Sequence, residues 1–214
     1  MIVDNFSALS AAECYAWMTG AVIPRPVAWI LTQNDNGGGD DDGDNYNLAP
    51  FSYFNALCSA PPLVGISFTA GAGGAAKDTL TNIRRNGSFV AHIAPMTMLD
   101  ALNDSSAPLP YGESEVSKSG LQTADFWHLP RVRGCPIAMA CRLSREVPLH
   151  NEDDAEQILI LGEIVRLFVD DAVLADDGKG RRTIDAAKTN PIARLSAGNY
   201  ASIANFQTRT RPQK

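Results

Sequence analysis

The sequence is short of the side chains that hold metals. Three histidines and four cysteines are scattered over 214 residues, with no C-x-x-C pair and no histidine at ligand spacing. No metal site or disulfide framework is expected, and Cys14, Cys58, Cys135 and Cys141 read as small hydrophobes in a reducing compartment. Long apolar runs are missing as well: none reaches the ~18 residues that a membrane span requires. Met1–Ser10 has no basic start ahead of an apolar core, so a secretory leader is not expected and the protein is expected in the cytoplasm. Basic excess is the third absence. Eighteen Lys and Arg against 24 Asp and Glu leave a net charge of −6. Asp35, Asp40, Asp41, Asp42 and Asp44 hold most of that excess in one short stretch, so the remainder is close to neutral. No basic stripe is available to displace counterions from nucleic acid.

What is present is globular in composition, with 45% hydrophobic and 20% charged residues, 17 Gly and 13 Pro. The length suits one unit over residues 1–214, with a core at about 23–200, an exposed acidic turn at 33–46 and a loose tail at 205–214. Ser10 and Glu13 form an S-x-x-E capping box that predicts a short helix stopping near Gly20. Val27–Thr32, Leu48–Cys58, Leu63–Thr69 and Phe89–Ala94 read as strands, and Asp78–Asn86 as a helix ended by Gly87. Met96–Leu102 predicts a further helix, and residues 103–134 look irregular. Two longer strands follow, Ile137–Leu143 and Ile158–Val169. The second is apolar on both faces, with Gly162 at a bend, as in a barrel wall whose outside meets another subunit. Helices are few and short, without βαβ alternation. The fold class expected is mainly β, a closed or split barrel. His92, inside the strand Phe89–Ala94, reads as a hydrogen-bonded sheet histidine.

Residues 63–79 run from strand through a glycine-rich loop into a helix start. A P-loop fails there, because Ala76 precedes Lys77 and Asp78 follows it. A G-x-G-x-x-[GA] dinucleotide fingerprint does fit Gly71, Gly73 and Ala76, but no acidic residue ends the next strand and no second βαβ unit follows. What both motifs share is a helix N-terminus with unpaired N–H groups, which favours an anion, beside the Lys77 charge and the Thr79 hydroxyl. The alternative is that Asp78 or Thr79 caps the helix and Lys77 is solvated; spacing alone leaves both open.

Pro24-Arg-Pro-Val-Ala-Trp-Ile30, Asn47-Leu-Ala-Pro-Phe-Ser-Tyr-Phe-Asn55, Pro61-Pro-Leu-Val64 and Lys77-Asp-Thr-Leu-Thr-Asn-Ile83, in this order, resemble the flavin reductase-like family. Asn103-Asp-Ser-Ser-Ala-Pro108, Ser119-Gly-Leu121, Leu161-Gly-Glu-Ile164 and Pro191-Ile-Ala-Arg-Leu195 before Tyr200 extend the resemblance to roughly Ile23–Tyr200. It implies a dimeric FMN-binding split barrel, flavoredoxin-type proteins included, with NADH or NADPH as reductant and free flavin or a redox partner protein as acceptor. Ala49, Pro50 and Phe51 would lie against the ring system, with Asn47 and Tyr53 along the same strand and Ser52 near the ribityl chain or ring edge. Ser67, Lys77, the Asp78 backbone N–H and Thr79 would meet the phosphate. Asn103, Ser105 and Ser106 would complete the site, and Arg25 would either join it or brace the barrel entrance. Many relatives carry a Gly-Ser-His or Gly-Asp-His triplet before the L-G-E strand where this chain has Asp154-Ala-Glu-Gln157, with His150 upstream. The cofactor carries the redox chemistry, so no catalytic side chain is implied. Two other readings share the site: a non-catalytic FMN electron carrier, and a split-barrel oxidase of a small substrate.

Overall fold

Two apolar sets alternate along the same strands and face opposite sides of one sheet. In the computed structural model, which describes residues 2–35, 45–69, 76–110, 112–149, 157–203 and 205–209, seven strands form this sheet. They are β2 (Ala28–Gln33), β3 (Tyr46–Phe51), β4 (Phe54–Ser59), β5 (Pro62–Thr69), β6 (Ser88–Ile93), β9 (Ile137–Pro148) and β10 (Gln157–Val169), ordered β3-β2-β6-β9-β10-β5-β4. Every neighbouring pair is antiparallel. Ala28 and Ile30, Phe89 and Ala91, Met139 and Cys141, Ile158 and Ile160, and Ile66 and Phe68 share one core. Trp29 and Leu31, Val90, and Ala138 and Ala140 belong to another, on the reverse face.

The first core is the inside of a rolled sheet. Phe51 on β3 and Phe68 on β5 come from strands near opposite ends of the strand order, yet their ring centroids are 4.6 Å apart. The sheet therefore curls round into a split barrel, and each large aliphatic side chain buried within it contributes about 1.5–3 kcal/mol. Gly162 permits one of the closest packings. A Cβ there would lie 2.4 Å from Cζ of Phe89, a fully buried ring, so the missing side chain admits that ring.

Helix α2 (Asp78–Asn86) presents Leu80 and Ile83 to the barrel interior. It ends at Gly87, whose φ of 65° lies in the left-handed region and whose N–H returns to the Ile83 carbonyl. The reverse face is covered by α3 (Leu99–Asp104), α4 (Glu115–Lys118) and the segment carrying the short strands β7 (Thr123–Ala124) and β8 (Arg131–Val132), through Leu102, Val116, Phe126, Leu129 and Val132. At the N-terminus α1 (Ala11–Ala21) starts from Ser10 with both halves of its capping box formed, and runs past Gly20. Arg25, in the two-residue strand β1 (Arg25–Pro26), is buried. It donates to the carbonyls of Thr19 and Val22 at the end of α1, and to that of Leu195 across the molecule. Arg25 is thus a brace at the barrel entrance.

Several sequence expectations need correction. Leu48–Cys58 is two strands, β3 paired with β2 and β4 paired with β5, because at Ser52-Tyr53 the chain leaves one ladder and joins another. Met96–Leu102 divides into a 3₁₀ turn, Met96–Met98, and α3. The 103–134 stretch holds α4, β7 and β8, and the strand from Ile137 continues to Pro148. All four cysteines are free; Cys135 and Cys141 are buried, whereas Cys58 is exposed and Cys14 only half-buried. Most of the acidic turn (36–44), Gly71, Gly73, His150 and Asp154–Glu156 lie outside the described residues. Among the described residues no helix is long and apolar enough to cross a membrane. The remaining elements are the hairpin β11 (Leu174–Asp176) with β12 (Arg182–Ile184), α5 (Ala186–Thr189), and β13 (Ala193–Arg194) with β14 (Tyr200–Ala201) beside β1.

Candidate functional site

Among the described residues the first turn of α2 has no side-chain cap. Its N-cap is Lys77, which makes no capping hydrogen bond, so Asp78 and Thr79 do not cap the helix from within. The Thr79 side chain is occupied elsewhere: buried, it accepts from Asn47 Nδ2 at 2.8 Å. The same amide reaches Thr32 Oγ1 at 3.3 Å, and Asn82 Nδ2 donates to Thr32 Oγ1 at 3.1 Å and Asn34 Oδ1 at 2.9 Å. This buried amide–hydroxyl network pins α2 against β2 and β3. Among the described residues the first-turn N–H groups, with the positive end of the helix, have no side-chain acceptor to face.

They face a cleft of about 430 Å³. Asn47, Ala49, Pro50 and Phe51 form its strand wall; Ala76, Lys77, Asp78 and Thr79 form its helix end; Ser105–Leu109 and Glu115 close the other side. Pro50 can stand in this wall because β3 is a sheet edge, where a residue without an N–H is tolerated. Glu115 Oε2 accepts from the Leu48 N–H of that edge at 2.8 Å, which latches α4 onto β3. Lys77 Nζ stands 5.5 Å from the Phe51 ring centroid, its side chain exposed.

Two carboxyls oppose the lysine. Burial pushes Asp78 above the usual carboxyl range. Burial also pushes Glu115 up, the Leu48 N–H pulls it partly back, and the nearby Asp78 charge raises it again. Burial therefore shifts both groups toward the neutral form beside Lys77 and the helix end.

A second cavity, of about 200 Å³, adjoins the first, because Pro50 and Ser106 line both. Ser52, Asn103, Tyr15, Arg194 and Tyr200 also form its walls. On the far side of Ser52 lies an apolar hollow of about 390 Å³, lined by Met18, Val22, Tyr53, Leu57 and Leu159 among others.

Of the residues singled out from sequence, Asn47, Ala49, Pro50, Phe51, Lys77, Asp78, Thr79 and Ser106 line the cleft, while Ser52 and Asn103 line the adjoining cavity. Ser105 also lines the cleft, but its hydroxyl accepts from the Trp29 indole N–H at 2.8 Å and donates to the Leu102 carbonyl at 2.8 Å. Tyr53 belongs to the apolar hollow. Ser67, half-buried in β5, gives its N–H to the Tyr53 carbonyl and lines none of these spaces. Glu115 and Arg194 were missed. Nothing in the local sequence separates Glu115 from a solvated helix glutamate, and Arg194 reaches its cavity through the pairing of β13 with β1 and β14.

Comparison with known proteins gives a consistent result. A family model described as "Flavin reductase like domain" matches residues 18–185. An uncharacterised protein of Halalkalibacterium halodurans is 33% identical over 212 residues, covering 97% of this chain and 95% of its own. The crystal structure of nitrilotriacetate monooxygenase component B from Bacillus cereus superposes with a TM-score of 0.85 at 33% identity, covering 98% of each chain. A Shewanella frigidimarina protein with a split barrel domain superposes with a TM-score of 0.76 at 20% identity, over 100% of this chain and 98% of that one, and so bears on the fold alone.

Proposed function

The chain belongs to the flavin reductase-like domain family, and on that premise we propose that it binds FMN and acts as an NAD(P)H-dependent oxidoreductase. It either reduces free flavin or passes electrons to a partner protein. The observation that carries the reading is the uncapped first turn of α2, with Lys77 beside it, opening onto a cleft walled by Ala49, Pro50 and Phe51. An anion-binding end and an apolar surface along the wall are what a phosphate-bearing planar cofactor needs. The cleft volume of about 430 Å³ falls within the usual range for a cofactor site. Similarity to a monooxygenase component B supports the partner-feeding form.

Lys77 and the N–H groups of the first turn hold the phosphate, and the Thr79 hydroxyl, already an acceptor from Asn47, keeps its proton to donate. Ala49, Pro50 and Phe51 take the ring system, and Ser52 and Ser106 flank it toward the second cavity. When bound, FMN supplies the two-electron redox chemistry. Asp78 and Glu115, held toward neutrality by burial, limit repulsion of the phosphate. A second copy of the chain covers the apolar hollow, where Met18, Val22 and Leu57 are 48%, 61% and 52% exposed, and extends over Val165 and Leu167 on β10. Four free cysteines suit a cytoplasmic setting.

The test is spectral. Protein loaded with FMN and dialysed is expected to stay yellow and to bleach anaerobically with NADH or NADPH. A preparation that is colourless after dialysis removes the binding claim. One that stays yellow but is reduced only by a protein donor replaces the reductase with an electron carrier.

A further inference from the structure

Arg194 carries a positive charge into the 200 Å³ cavity and meets no carboxylate there. None of the cavity's lining residues is acidic, and no ion pair involves Arg194 among the described residues. Its guanidinium lies over the Tyr200 ring at 4.4 Å and gives one N–H, from Nη2, to the Ala197 carbonyl at 2.6 Å. Of its five N–H donors, this is the one with an acceptor among the described residues. The ring beneath is itself fixed, because the Tyr200 hydroxyl donates to Asn103 Oδ1 at 3.2 Å. That bond also turns the Asn103 amide so that its NH₂ donors remain available. A half-buried planar cation, held over a ring and by one carbonyl, is suited to a two-pronged bond to a carboxylate.

The other walls select the rest of the ligand. Tyr15, Pro50 and Tyr200 contribute rings to the walls, and Val27 and Leu102 are apolar. A volume of about 200 Å³ is below the ~300–1,000 Å³ of pockets for drug-sized ligands. It suits one ring with a small substituent.

We propose that this cavity binds a planar ring carrying a carboxylate, the carboxylate paired with Arg194 and the ring held between the aromatic walls beside the cofactor cleft. The shared wall of Pro50 and Ser106 sets such a ring next to the cofactor. The proposal rests on the flavin reading for its purpose, though not for its chemistry.

Benzoate is the probe, titrated by calorimetry into the chain with and without FMN and by the flavin difference spectrum in the loaded protein. Saturable one-site binding is expected, with benzamide, the neutral analogue, at least tenfold weaker. Arg194→Gln is expected to weaken benzoate tenfold or more, with FMN affinity held within twofold; Arg194→Lys recovers part of the loss and controls for folding. No saturable benzoate binding, or binding indifferent to Arg194→Gln, overturns the proposal. So does ADP-ribose binding through Arg194 in place of benzoate, which would assign the cation to a dinucleotide phosphate. Loss of FMN in Arg194→Gln would mean that the flavin itself occupies the cavity. If the unaltered chain takes no FMN, the flavin reading fails separately, and Arg194-dependent benzoate binding to the FMN-free chain still decides this one.

Discussion

Asn47 Nδ2 lies 2.8 Å from Thr79 Oγ1, and this bond ties the edge strand β3 to the first turn of α2. Both residues are buried. Asn47→Ala therefore strips a donor from Thr79 and Thr32 at once. Leaving buried polar groups short of a partner costs about 1–3 kcal/mol, to be read as a lower urea midpoint with unchanged slope. Because the helix N-terminus is no longer pinned, FMN affinity is expected to fall about tenfold as well. An Asn47→Ala chain that binds FMN as the parent does would separate this network from the site.

Lys77→Gln addresses the phosphate end alone. The side chain is exposed and makes no ion pair among the described residues, so the thermal stability of the FMN-free chain is expected to change by no more than ~0.5 kcal/mol. A charge-assisted bond to phosphate contributes about 1.5–3 kcal/mol, which corresponds to a loss of roughly 10- to 100-fold in FMN affinity. Riboflavin, which lacks the phosphate, is expected to bind both forms equally. Fluorescence titration with the two flavins reads this directly, and an equal loss for both would move the phosphate elsewhere.

Glu115 gives a pH dependence whose sign is fixed by burial. Its carboxyl is raised in the folded protein, so the native state holds its proton longer than the unfolded chain does. That contribution to stability is complete below the ordinary carboxyl range and is lost as pH rises through the raised value. In the proposed FMN complex the charge then formed faces the cofactor phosphate. Glu115→Gln keeps an oxygen for the Leu48 N–H and removes the charge. The variant is expected to melt higher than the parent at pH 8, to bind FMN more tightly there, and to show a flatter affinity–pH profile. Some slope remains, since Asp78 lines the same cleft and is raised as well. Identical profiles for the two proteins would show that the Glu115 charge does not reach the phosphate.

The parts of this molecule that were legible in its sequence are those decided locally. The Ser10–Glu13 box and the Gly87 stop each depend on a few adjacent residues, and both helix ends stand where those residues put them. Alternation of apolar side chains located the strands, because each face of the sheet buries its own set. The break at Ser52-Tyr53 was not legible, since it arises where the barrel seam makes the chain exchange one ladder for another. For the same reason Ser67 could not be told from a cleft residue, nor Arg25 from a ligand. Their surroundings come from residues distant in the chain, such as Leu195 for Arg25. The cleft wall and the helix end were identifiable through the ordered motifs, whereas Glu115 arrives by tertiary packing of a short element that carries no motif, and Arg194, though inside the Pro191–Leu195 motif, is brought to its cavity only by the pairing of β13 with β1 and β14.

His92 shows how a histidine in a strand can serve the fold and leave an acid-sensitive signature. It is fully buried between the Trp29 carbonyl, 2.9 Å from Nδ1, and the Val132 N–H, which donates to Nε2 at 3.0 Å. Since Nε2 accepts, Nδ1 carries the proton, and the neutral ring satisfies both backbone groups. Burial lowers its pKa to about 4, the Trp29 carbonyl opposes that shift, and the Arg131 charge adds to it. An unfolded chain protonates this ring at about 6.5, so between there and about 4 the unfolded state binds the extra proton. Stability is therefore complete above pH 6.5 and falls by roughly 3 kcal/mol from this group as pH drops to about 4. Nitrogen-detected NMR at pH 5.5 is expected to show His92 neutral with Nδ1 protonated. His92→Ala leaves Val132 without its acceptor and opens a cavity, a loss of about 3 kcal/mol or more at pH 7, and its urea midpoint is expected to vary less between pH 6.5 and 4.5 than that of the parent. A histidine resonance that titrates normally at this position would place the ring in contact with water, and the join between β2, β6 and β8 would then need another explanation.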